Sequence, residues 1–213
     1  MNNKLAEKIT KKLRGPGVNS TNRLAALLDL TAFEEPKVFW QVFHENWSDC
    51  DNTWGLQDDI LGQLEWFGQD DDHMTDEQQA YLSGLAADRY SRITVYRGCS
   101  RARIHGLSWT TNPQIAQEFA RGHRGITVPD PVVGKAKVRR SFIITAIRDR
   151  EEDEIILNPL HLACLRETSL PPAESGRRVD VSPHSGNQPR QSALKQELAP
   201  LHQNLNLSEG ALY

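Results

Sequence analysis

The chain has 213 residues, 25 of them basic and 28 acidic, for a net charge of −3, and 38% of its residues are hydrophobic. That length fits one compact domain with extensions or two small ones, and the composition excludes a coiled coil, a collagen-like repeat and a wholly disordered chain. No apolar run reaches the ~18–20 residues of a membrane span, and the N-terminal MNNKLAEKITKKLRGPG lacks the apolar stretch of a secretory signal.

The predicted elements begin with a basic, weakly amphipathic helix over residues 1–15, stopped by Gly15-Pro16-Gly17. A short helix follows from Asn22 to Leu30. Pro36 suits a first helical turn, and Phe39, Phe43 and Trp47 then recur every four residues on one face. Leu56, Ile60, Leu64 and Phe67 repeat that pattern between Trp54 and Phe67. Thr75 with Gln78 is a capping-box signature ahead of Tyr81, Leu82 and Leu85.

The character changes at Ile93, where Ile-Thr-Val-Tyr-Arg has the β-branched and aromatic content of a strand. Leu107–Thr110 is a second strand. Asn112 is a good N-cap, Pro113 fits the first turn, Ile115, Ala116, Phe119 and Ala120 form an apolar stripe, and Gly122 ends that helix. Residues 125–134 carry two prolines and read as a loop. Ala136–Arg140, Ser141–Ile147 and Glu154–Leu157 read as strands. From about Thr168 onward Pro, Ser, Gln, Asn and Gly dominate, as in a disordered tail. The expected organisation is α+β: an acidic helical region over 1–90, a strand-rich core over 91–167 and a tail over 168–213.

The mild net charge hides an asymmetry. Residues 34–88 hold fourteen acids against Lys37, a balance of −13, and residues 89–150 hold thirteen Arg or Lys against three acids, a balance of +10. Either the basic half meets an anionic ligand, or the two halves attract each other within one folded unit. The cysteines, Cys50, Cys99 and Cys164, are odd in number, widely spaced and free of any CxxC pair. They read as thiols of a reducing, cytoplasmic setting and not as a zinc site. Asp70-Asp71-Asp72-His73 lacks the glycine of a calcium loop. The basic segment lacks interleaved aromatics, so nucleic acid stays open as a partner but is not indicated.

Three strings in the strand-rich half carry chemistry: Val95-Tyr96-Arg97-Gly98, Ser108-Trp109-Thr110-Thr111 and Glu152-Asp153-Glu154-Ile155-Ile156-Leu157. Singly, each has a plain reading as an edge charge, a helix cap or a solvated turn. In order, they form an Arg-ended strand, a Ser-x-Thr strand leading into a helix, and Glu-x-Glu running into an apolar strand. This triple resembles the arginine–serine–glutamate class of mono-ADP-ribosyltransferases, over about residues 93–160. The resemblance implies a split, mixed β-sandwich with a cleft for NAD, preceded by a helical region. It implies that Arg97 holds the NAD phosphates and ribose, that Ser108 positions the catalytic carboxylate, and that Thr110 supports its strand. Glu154 would then be the catalytic glutamate and Glu152 the acid that handles the acceptor. In this class Glu-x-Glu goes with arginine acceptors. Arg121 and Arg124 fall near the loop that contacts phosphate and nicotinamide, and become candidates for the pyrophosphate.

These roles suit the residue types. Arg offers a fixed fork of donors to phosphate. A carboxylate beside the ribose stabilises the positive charge that develops as nicotinamide leaves. A second carboxylate takes the proton of a guanidinium acceptor. On an extended strand Glu152 and Glu154 would share one face. Only Gly98–Leu107 separate Arg97 from Ser108, so the helix many members place there is absent or very short, and Gly98 and Gly106 allow the chain to turn back directly. Trp109, between Ser108 and Thr110, is expected in the core. The expected partners are NAD as donor and a protein acceptor, with no metal and no membrane. A host-directed effector or toxin would read the same way. The alternatives are an NAD glycohydrolase or NAD-depleting toxin using the same site, and a non-catalytic binding module.

Overall fold

Apolar residues at helical spacing build the first half of the chain into α1 (Asn2–Leu13), α2 (Arg23–Thr31), α3 (Pro36–Asn46), α4 (Gln57–Phe67) and α5 (Asp76–Leu85). The computed structural model of the protein describes residues 2–67, 73–122, 127–148 and 152–171, all within one unit, Met1–Glu174. Pro36 opens α3, where a missing N–H removes no helical bond. Phe39 and Phe43 stack within it at 5.9 Å. The α5 capping box forms: the Gln78 N–H donates to Thr75 Oγ1 at 3.2 Å, and the Thr75 N–H to Gln78 Oε1 at 2.8 Å.

Six strands follow: β1 (Arg92–Ser100), β2 (Ser108–Thr110), β3 (Pro131–Arg139), β4 (Ile143–Ile147), β5 (Glu154–Leu157) and β6 (Ala163–Ser169), with α6 (Pro113–Gly122) between β2 and β3. They form one sheet in the order β4-β5-β2-β1-β3-β6, and every pairing is antiparallel. The fold is therefore α+β, and the sheet is antiparallel where a mixed sandwich was expected. Each strand re-enters the sheet running against its neighbour, so no parallel crossover is made.

The sheet is weakest in its middle. β1 and β3 share nine paired positions, whereas β1 and β2 share one, Tyr96 with Thr110. The halves β4-β5-β2 and β1-β3-β6 thus nearly part between Arg97 and Ser108.

Two apolar clusters cover the two faces. Buried side chains of α1–α4 pack with Leu107, Ile147 and Ile156. Leu82 of α5 and Met74 before it pack with Ile93, Val95, Trp109, Ile155 and Leu157. Adjacent residues of β5 therefore point into opposite clusters, as the period of a strand requires. That alternation places Glu154 on the side of Ile156, toward the end of α3. α6 lies against β1 at Gly98, where a Cβ would fall 1.6 Å from the Ala116 carbonyl oxygen; only glycine allows so close an approach.

Two expectations about the later chain change. β3 begins at Pro131, inside the segment read as a loop, because proline is tolerated as the first residue of a strand and Val132 and Val133 pair with Cys99 and Gly98. β6 carries strand structure to Ser169, past the expected start of the tail. Its sequence, ACLRETS, has little strand signal of its own, and pairing with β3 supplies the structure. The rest of the expected tail, residues 172–213, lies outside the described residues, as do Asp70-Asp71-Asp72. Among the described residues no helix is long and apolar enough to cross a membrane.

Candidate functional site

A cavity of about 510 Å³ opens where the sheet parts, within the range that holds small ligands and cofactors. Arg97, Ser108, Thr110, Glu152 and Glu154 all line it. The sheet register brings them together. Thr110 faces Glu154 across β2 and β5, and Ser108 faces Ile156, so Ser108 and Glu154 sit on one face a strand apart.

Arg97 spans the gap between β1 and β2. Its Nε donates to the Arg103 carbonyl at 3.1 Å, and Nη1 donates to the Ser108 carbonyl. These two bonds fix the plane of the guanidinium. The expected short return also forms: a single 3₁₀ turn, Arg101–Arg103, replaces a helix. Gly106 then passes so near that a Cβ there would lie 2.2 Å from Arg97 Nη2. Burial lowers the pKa of Arg97 from the usual guanidinium value, and the neighbouring Cys99 and Glu154 oppose the shift.

Glu154 accepts a hydrogen bond from the Trp47 indole N–H at 2.9 Å and another from the Ser108 hydroxyl. Its pKa is raised, first by burial; the bonds from Ser108 and Trp47 and the charge of Arg97 pull it back, and Glu152 adds to the rise. The carboxylate is thus held in a poorly solvated place by fixed donors.

Glu152 is not on the strand. Asp153 has φ +46, so the chain bends between the two glutamates, and β5 starts at Glu154. Both side chains nonetheless line the cavity. The bend is pinned from several sides: Thr110 Oγ1 donates to the Glu152 carbonyl at 2.8 Å, the Thr111 N–H to the Asp153 carbonyl at 3.3 Å, and Arg148 lies 3.6 Å from the Asp153 carboxylate. Thr110 therefore acts on the backbone that carries the glutamates. Trp109 is 1% exposed, and its N–H donates to the Gly106 carbonyl at 2.8 Å, so its ring is core.

Arg121 sits exposed in the last turn of α6 and does not line the cavity. The helix carries it away from β1, which Ala116 and Ala120 face. Arg124 lies outside the described residues. Among the described residues a second cation lines the cavity, Arg103, a residue with no motif to mark it.

The helical half supplies a whole wall: Trp47, Ser48, Cys50, Asp51, Thr53 and Trp54. The turn that carries them is tied down by Arg23 Nη1 donating to the Asp49 carbonyl at 2.6 Å and by the Asp51 N–H donating to the Ser20 carbonyl at 2.8 Å. Phe43 lies 5.0 Å from the Trp47 ring. In the sequence Trp47 reads as the last member of an apolar stripe. Its second role arises because α3 stops at Asn46 and a 3₁₀ turn swings the indole toward β5.

No family model, no curated protein and no solved structure matches this chain.

Proposed function

We propose that the protein is an NAD-dependent mono-ADP-ribosyltransferase that moves ADP-ribose to a protein acceptor, an arginine by the Glu-x-Glu pattern, and releases nicotinamide. One observation carries this reading: Arg97, Ser108 and Glu154, from three strands, line a single cavity and are linked through Ser108, whose carbonyl accepts from Arg97 and whose hydroxyl bonds Glu154. The near-parting of the sheet between β1 and β2 supports the ADP-ribosyltransferase-like version of the fold.

In this reading Arg97, with Arg103 beside it, meets the pyrophosphate through charge-assisted bonds. The bond between ribose C1′ and the nicotinamide nitrogen breaks, and its electron pair neutralises the pyridinium. Glu154 stabilises the positive ribose that results. A guanidinium nitrogen of the acceptor attacks C1′ and gives its proton to Glu152. Trp47 and Ser108 hold Glu154 in place throughout.

The test is mass spectrometry of lysate proteins for an added ADP-ribose, alongside direct assay of nicotinamide release. Glu154→Gln should reduce both by about 10²-fold or more, the scale of losing one preorganised electrostatic group. Glu152→Gln should abolish protein labelling and spare nicotinamide release. Equal activity of the Glu154 variant and the parent would refute the assignment.

A further inference from the structure

The face of β1-β3-β6 that continues outward from the cavity carries an array of cations. Arg92 pairs with Arg139, and Lys135 pairs with Tyr96 on one side and Arg166 on the other. Lys137 lies between Lys135 and Arg139 on the same face of β3. All five cations are exposed. The alternate residues of these strands, Ile93, Val95, Ala136 and Val138, are buried in the cluster beneath α5, which fixes the cationic face as the opposite one; α6 covers that face at its Gly98 end, and the five cations lie beyond it.

Among the described residues, β1, β3 and β6 present no acid on this face. Thr94 lies beside Lys137, and Val133 with Thr168 continues the face beyond Lys135 and Arg166. The ion pairs among the described residues use Arg101 and Arg148 and none of these five. Residues two apart on a strand lie about 6.8 Å apart and neighbouring strands about 4.8 Å, so the charges form a compact lattice roughly 14 Å long along β3. The lattice reaches the cavity mouth, because Lys135 Nζ sits 5.7 Å over the ring of Tyr96, which lines the cavity.

We infer that this cationic face is a docking surface for an acidic segment of the protein acceptor, which delivers the modified residue to the cavity beside it. The inference rests on the transferase reading above. Charge complementarity selects an anionic partner. The register positions favour protein over nucleic acid: Tyr96 is the one aromatic among them and is already covered by Lys135, whereas single-stranded nucleic acid is held by cations interleaved with exposed aromatic rings.

The test uses the full chain and a short fluorescein-labelled Glu-Ser repeat peptide, with binding followed by anisotropy in the absence of NAD. The peptide should bind at low salt and weaken as salt rises. In the triple variant Lys137→Glu, Arg139→Glu, Arg166→Glu, affinity should fall about tenfold or more. The neutral triple Lys137→Gln, Arg139→Gln, Arg166→Gln should give an intermediate loss. Nicotinamide release with water as acceptor should be unchanged in both variants, while labelling of protein acceptors falls with peptide affinity. Unchanged peptide affinity in the charge-reversed protein would overturn the inference. So would tighter binding of oligo-dT than of the peptide, or a dimer by sedimentation that the triple variant dissolves, since its own acidic half would then be the occupant. If the peptide binds as expected but the parent releases no nicotinamide, the surface stands and the reading of the cavity falls.

Discussion

The indole N–H of Trp47 donates to Glu154 Oε1 at 2.9 Å, joining residues 107 positions apart and tying the helical half to the candidate catalytic strand. A hydrogen bond to a carboxylate favours its ionised form, and this one opposes the upward pull of burial on Glu154. Trp47→Phe keeps the ring and removes the donor. The pKa of Glu154 should then rise further, and the acid limb of nicotinamide release should move to higher pH. Turnover on that limb should fall by about tenfold, the scale of one bond to a charged group. Carbon-13 NMR of the Glu154 carboxyl reads the same shift without relying on activity. An unmoved titration would leave Trp47 a packing residue only.

Glu154 also gives a stability prediction of definite sign. Its folded pKa lies above the unfolded value because burial disfavours the charge. Its contribution to stability is therefore present below the unfolded pKa, near 4.3, and is lost as pH rises through the folded pKa. At neutral pH the unfolded chain ionises freely, and the raised pKa of Glu154 works against folding. Glu154→Gln should raise Tm at neutral pH, with the gap narrowing as pH falls, while activity drops. A variant that lost both activity and Tm at neutral pH would mean that the carboxylate holds the fold.

Two glycines beside the site separate packing from function. At Gly98 a Cβ would meet the backbone oxygen of Ala116 at 1.6 Å, so Gly98→Ala must push α6 off the sheet. A loss of about 1–3 kcal/mol or more is expected in urea unfolding. At Gly106 a Cβ would meet Arg97 Nη2 at 2.2 Å and Cζ at 2.4 Å. That end is a side chain, though one held by the Arg103 and Ser108 carbonyls, so Gly106→Ala should displace the guanidinium at a smaller cost in Tm than Gly98→Ala. KM for NAD should rise by about tenfold, the scale of a lost charge-assisted bond. If both variants lost stability alike, Arg97 would be part of the core and not of a binding surface.

Much of this arrangement is legible in the sequence, because local signals carry it. The four-residue spacing of Phe39 and Phe43, the Thr75–Gln78 box and the Asn112-Pro113 start each act within one turn of helix, where composition alone decides the outcome. Strands β1 and β5 announce themselves by β-branched runs, and the order of β1, β2 and β5 places Arg97, Ser108 and Glu154 together. What is not legible depends on partners distant in the chain. β6 is a strand because β3 lies beside it. Trp47 reaches Glu154 because α3 ends one residue earlier, and the bend at Asp153 comes from bonds to Thr111 and Arg148 that no local pattern encodes. Arg103 enters the cavity only because the return after β1 is a single turn.

The thiols should react in a fixed order. Burial pushes the Cys50 thiol up to about 12, against the pull of Arg23, and its Sγ donates to the Asn46 carbonyl at 3.3 Å. Burial also raises the Cys99 thiol, with Arg97 opposing. Cys164 is exposed. Thiolate is the reacting species, so Ellman's reagent near pH 8 should show one fast thiol and two slow ones. Cys164→Ser should remove the fast phase. Cys50 and Cys99 both line the cavity, so saturating NAD should slow their modification further and leave Cys164 untouched. A fast phase that survives Cys164→Ser would mean that the cavity wall opens readily.

His44 makes the junction between helices and sheet sensitive to acid. Its Nε2 lies 3.0 Å from Oγ1 of the buried Thr145, and Trp40 and His73 pack alongside, with His73 stacked on Trp40 at 3.8 Å. Burial first, and His73 second, lower its pKa from 6.5 to about 4. Because the folded value is below the unfolded one, the unfolded chain takes up a proton first as pH falls. The contribution of His44 to stability is therefore intact above about pH 6.5, declines between 6.5 and 4, and levels below 4, where the native state is protonated too. A shift of that size corresponds to on the order of 3 kcal/mol, a large share of the 5–15 kcal/mol typical of a domain. Urea unfolding at about pH 7 and about pH 4.5 should show the loss, and His44→Gln, which cannot titrate, should flatten the slope over that window. An equal slope in the variant would place the acid sensitivity elsewhere, in the carboxylates.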